Sequence, residues 1–171
     1  STMHAAITEE AALNDMTVVG HLSPDISIEK AFQSGQKVVA HTEELMYFFN
    51  HENNPKKIDD LIRLFLKYNV VYTPNLSIFK SLFKQVEKLD SINNQPAIKY
   101  LHPALFQSWA EDNNVNFSRG DEFAQFIKDR FDFLKEVTYR MHKAGVTVLT
   151  STDAPTSPML KFFSEIAIII H

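Results

Sequence analysis

Cysteine is absent from all 171 residues. That excludes a disulfide framework, a thiolate nucleophile and any Cys-ligated zinc. Glycine is scarce, four in all, and none belongs to a glycine-rich loop of the kind that cradles phosphate. No apolar run approaches a membrane span; the longest near the end, Ile166 to Ile170, is far too short. Basic charge is not in excess. Lys and Arg total 17 against 21 Asp and Glu, a net charge of -4 with both signs spread along the chain. No basic face for nucleic acid is therefore expected. No secretory signal is recognisable at Ser1, no repeat runs at solenoid periods, and no segment is of low complexity.

What is present is a 44% hydrophobic content, enough for one good core. Thr8, ahead of Ala11, Ala12 and Leu13, reads as the cap of a short helix. Short β-branched runs follow at 16–21, 37–41 and 70–73, with a fourth over Val146-Thr-Val-Leu-Thr-Ser-Thr-Asp-Ala-Pro155. Between them lie helical patterns at 27–32, 42–49, 56–68, 77–89, 97–113 and 121–143. The longest carries Phe123, Phe126, Ile127, Phe131, Leu134, Val137 and Met141 as its core stripe. The helix over 97–113 has a weak point at His102-Pro103. Strands alternating with helices predict an α/β fold with a parallel sheet. Pro24, Pro74 and Pro155 end three of the strands at the same edge, because proline cannot donate to a ladder. The run from 74 to 145 is too long for a plain crossover and is expected to be a helical excursion over the carboxyl edge. The Val146 run is expected to be fully buried.

The chemistry gathers where strands stop. His21 ends the first strand and His41 the second, twenty residues on, about one βα unit. Neighbouring strands lie about 4.8 Å apart. Two imidazoles leaving adjacent strand ends can reach one ion at about 2.0–2.1 Å. Asp153 ends the fourth strand, towards the edge at which parallel sheets hold ligands. Two histidines and a carboxylate form a hydrolytic zinc set with open positions for water. The competing account of Asp153 is a helix cap before Pro155. That of each lone histidine is a hydrogen-bonded structural residue.

The same residues carry a resemblance. Val18-Val19-Gly20-His21-Leu22-Ser23-Pro24, then Ala31 through Gly35-Gln36, then Val39-Ala40-His41-Thr42-Glu43-Glu44, resembles the amidohydrolase superfamily, nearest its imidazolonepropionase-like and prolidase-like branch. Ala144-Gly145-Val146 through Ser151-Thr152-Asp153-Ala154 resembles that family's eighth barrel strand. The resemblance implies residues 1–171 as a single partial (β/α)8 TIM-type barrel, the second half, with about four parallel strands. It implies His21 and His41 as fifth- and sixth-strand metal ligands. Asp153 is then the eighth-strand acid, which ligates a metal and passes a proton to the leaving amine. One or two divalent ions, zinc foremost, and a small-molecule or dipeptide substrate follow. The bond would be an amide, in a dipeptide with proline or in a cyclic amide. Tyr72 and Asn75, at the third strand's end, are candidate substrate contacts; core packing and turn chemistry are their competing roles.

The departures are large. The family's first-strand His-x-His and its fourth-strand bridging lysine have no counterpart. A half barrel exposes sheet edges and an apolar inner face. The chain is therefore expected to be a fragment, inactive by itself, whose partner is the missing N-terminal half or a second copy. The alternative from another class is a non-catalytic half-barrel interaction or assembly module. Glu43 and Glu44, which follow His41 directly, are expected to serve the helix dipole rather than to orient a ligand histidine. His51, His102, His142 and His171 are expected at the surface or at helix ends. Trp109 with Phe106 is expected in the core, and Ser151 and Thr152 lack the Gly-x-Ser-x-Gly setting of a nucleophile.

Overall fold

The computed structural model describes residues 2–151 apart from 101, 111, 112 and 115. The chain divides into two compact units. The first, Ser1–Asn75 with Phe133–Ser151, holds the sheet. It begins with α1 (Thr2–Leu13), followed by β1 (Val18–Gly20), α2 (Ile28–Gln33) and β2 (Gln36–Ala40). A 3-10 turn over Thr42–Glu44 leads into the short α3 (Leu45–Phe48), then α4 (Ile58–Tyr68) and β3 (Val71–Thr73).

Local chemistry sets these boundaries. Ser27 caps α2, its hydroxyl accepting from Lys30 N at 3.3 Å. Asp59 and Asp60 sit in the first turn of α4, where the dipole favours acids. Asn69 ends that helix in the left-handed region (φ 50°, ψ 52°), a conformation Asn adopts more readily than most residues. Thr8 departs from expectation. It lies inside α1, buried, and its hydroxyl reaches His4 O and Ala5 O at 3.0 Å each. Threonine in a helix bonds back to the preceding turn in this way, and the helix had already begun upstream.

The three strands are parallel, in the order β1-β2-β3. Their register places Gly20, Val39 and Tyr72 in one row and Val19, Val38 and Val71 in another. Consecutive strand residues point to opposite faces. In the first row Val39 and Tyr72 are fully buried and Gly20 is half-buried. Phe65 of α4 meets Tyr72 at a ring distance of 5.9 Å and Phe32 of α2 at 5.0 Å, so these two helices cover that face. Val19, in the other row, is 59% exposed.

The expected fourth strand contributes one parallel bridge, Tyr72 to Val148. Tyr72 N donates to Thr147 O at 3.0 Å and Leu149 N to Tyr72 O at 2.8 Å. Its burial also differs from expectation. Val146 is buried, but Leu149 is 48% exposed and Thr147 and Thr150 are exposed. Among the described residues this segment is paired on one side only, so it behaves as a sheet edge rather than as an interior strand.

The second unit is described over Leu76–Asp132. It contains α5 (Leu76–Asn93), which kinks at Lys88 (φ -150°, ψ 47°), and α6 (Pro103–Trp109). His102 caps α6, its Nδ1 accepting from Ala104 N at 3.2 Å, so the continuous helix expected over 97–113 is broken at the proline. The long α7 (Gly120–Lys143) starts in this unit and ends in the first. On α7, Phe126 is 54% exposed instead of core, and the buried Arg130 lays its guanidinium over that ring at 5.3 Å. No helix among the described residues is long and apolar enough to cross a membrane.

Candidate functional site

The carboxyl ends of β1 and β2 deliver His21 and His41 to one place. Their ring centroids are 4.4 Å apart and the planes meet edge to face at 84°. Parallel pairing of β1 with β2 brings this about.

His41 is positioned through its backbone. Its φ of 72° with ψ 132° is rare for a residue with a side chain. The surroundings hold it there. His41 N donates to Thr73 O at 2.9 Å and Thr42 N to Pro74 O at 3.0 Å, extending the β2–β3 ladder past the last strand residue. The fully buried Thr42 also accepts a hydrogen bond from the Tyr72 hydroxyl. The His41 side chain is 17% exposed, with Nδ1 3.7 Å from Glu43 Oε1.

His21 is positioned through its side chain. The imidazole is 62% exposed, yet its Nδ1 lies 2.5 Å from Oε1 of the buried Glu44. The other oxygen of that carboxylate accepts from Leu22 N at 2.9 Å. Below them the buried Gln36 donates its amide to Gly20 O (3.0 Å), His21 O (3.3 Å) and Val38 O (3.3 Å). The same Gln36 presents its Oε1 to His4 Nε2 at 3.0 Å.

Glu44 therefore does more than meet a helix dipole, and the dipole expectation is corrected for it. Burial lifts the Glu43 carboxyl above the usual carboxylate range and the neighbouring Glu44 adds to this; Glu43's own backbone and the two histidines oppose it. Gln36 was not singled out from sequence, and Glu44 was assigned there to the helix dipole. The available signal was an acid three residues beyond a strand-end histidine, which also fits a helix start.

Asn75 follows β3 with φ 52°, is 2% exposed, and its Oδ1 has no hydrogen-bond partner among the described residues. Tyr72 is fully buried. Asp153, Thr152, the cap role weighed for Asp153, and His171 lie outside the described residues. Among the described residues no group of three or more His, Cys, Asp or Glu side chains gathers as a metal set. The pair that does gather has suitable chemistry. Imidazole nitrogen is a good zinc donor, and an Nδ1 directed at a carboxylate leaves Nε2 for an ion. A cavity of about 520 Å³ lies beyond Leu22, lined by Pro24, Ile26, Ile28, Tyr47, Phe48 and Leu64. Neither histidine lines it.

No protein-family pattern matches the chain, and no curated protein sequence matches it. Its fold is similar to that of an amidohydrolase of known structure. That protein is AH, bottromycin amidohydrolase, with a TM-score of 0.69 and 15% identity over 99% of this chain. The chain spans 39% of the length of that structure. At this identity the likeness shows a shared α/β fold alone.

Proposed function

We propose that the chain forms part of a metal-dependent hydrolase that cleaves an amide bond by attack of water. The observation that carries the proposal is the pairing of His21 and His41, ring centroids 4.4 Å apart, at the carboxyl ends of adjacent parallel strands. The fold likeness to a bottromycin amidohydrolase supports the same chemistry. His21 and His41 would hold zinc through Nε2, with Asp153 as a further ligand. When bound, the ion supplies a Lewis acid and lowers the pKa of water to about 7. Asp153 takes the proton that water loses and returns it to the amine as the C–N bond breaks. Asn75 offers to a substrate N–H a buried carbonyl oxygen that has no hydrogen-bond partner among the described residues. The burial of Tyr72 and its bond to Thr42 support a positioning role beneath His41. The substrate class is a dipeptide with proline or a cyclic amide. The remaining ligands would come from an N-terminal half barrel or a second copy.

Metal analysis after exhaustive dialysis tests this. The wild type is expected to retain about one zinc or more per chain. His21→Ala and His41→Ala are each expected to lose it. Equal metal content in all three proteins would overturn the assignment. A second function, a non-catalytic assembly module, is favoured by the exposure of Val19 (59%) and Leu149 (48%). A stable, metal-free dimer in sedimentation would support it instead.

A further inference from the structure

We infer that Glu44 is a positioning residue that holds the His21 ring with its proton on Nδ1 and its Nε2 turned outward as the donor atom. The inference rests on the metal-dependent function proposed above. A carboxylate only accepts hydrogen bonds, so at 2.5 Å the proton between Glu44 Oε1 and His21 belongs to Nδ1. The second oxygen of the same carboxylate takes Leu22 N at 2.9 Å. One buried group thus grips the histidine ring and the very next backbone N–H, closing a small ring that fixes the His21 side-chain torsions. The contrast in exposure explains why this is needed. An imidazole 62% exposed has little packing to hold it, whereas the Glu44 side chain is 7% exposed and anchored. His41 needs no such clamp, because its ring is 17% exposed and its backbone is bonded to the end of β3.

Glu44→Gln separates this role from a merely structural one. The amide keeps the size of the side chain and its oxygen still accepts from Leu22 N. Its NH2 group can only donate, so His21 Nδ1 must become the acceptor and the proton moves to Nε2. Nitrogen-15 NMR of the His21 ring in the metal-free full chain is expected to show Nδ1–H in the wild type and Nε2–H in Glu44→Gln. Zinc affinity, measured by competition with a chelating dye, is expected to fall about 10–100-fold in the variant. A wild-type ring protonated on Nε2 would overturn the inference without use of any variant. So would a Glu44→Gln protein with unchanged tautomer. The two proposals fail separately: a wild type that binds no zinc sinks the hydrolase and leaves the tautomer result standing, whereas zinc bound equally well with and without Glu44 sinks only the clamp.

Discussion

The ends of β1 and β2 present the same residue type by opposite means. At β1 the backbone leads an exposed His21 outward, and side chains do the fixing: Glu44 from one side, Gln36 from below. At β2 the side chain is mostly buried, and a strained main chain is fixed by the β3 end and by Tyr72 through Thr42. The difference teaches where each histidine is vulnerable. His21 depends on polar side chains distant in sequence. His41 depends on the integrity of the sheet.

Gln36→Leu should break the comparison most strongly. It leaves three carbonyls and His4 without the amide they share, in a place 1% exposed. A loss of about 1–3 kcal/mol is expected in urea unfolding. NMR shifts should move at His21 and hold at His41. Tyr72→Phe should do the reverse at lower cost. It deletes only the hydroxyl that reaches Thr42, for about 1 kcal/mol, with shifts at His41 and none at His21. Equal disturbance of both rings by either variant would erase the distinction.

The smallest effect belongs to a control far from both rings. Lys67 bonds Glu29 at 3.0 Å, which together with Tyr68 lowers the Glu29 carboxyl below its ordinary 4.5. A carboxyl lowered in the folded state adds stability above its unfolded pKa and loses it as pH falls through the folded value. Lys67→Met should therefore lower the urea midpoint slightly at neutral pH and leave it unchanged in strong acid, because both groups are open to solvent. Neither histidine signal should respond.

The alternation of strands and helices was legible because its signals are local. A serine at position 27, a β-branched pair at 38–39 and an amphipathic stripe at 58–65 each act within a few residues. The proximity of His21 and His41 followed from the same alternation, since adjacent parallel strands bring their ends together. Burial was less legible. The Val146–Thr150 run reads as interior by composition, yet what covers a strand is decided by its neighbours, and here only β3 pairs with it among the described residues. Glu44 was misjudged because a local preference, acid at a helix start, accounts for it as well as the contact it makes 23 residues back along the chain. Phe126 fell outside the stripe because it lies at the margin of the face that buries Ala124, Ile127, Leu134 and Met141, and neighbours distant in sequence decide whether a margin is covered.

Gln36 ties one more thing together. Through its oxygen it takes hold of His4 on α1, and through its nitrogen it takes hold of the carbonyl of His21. Only two side chains separate the opening helix from the rim histidine. A substitution at His4 would consequently be felt at the carbonyl of His21, and a silent attachment should be sought elsewhere, such as the exposed polar turn at Glu52-Asn53.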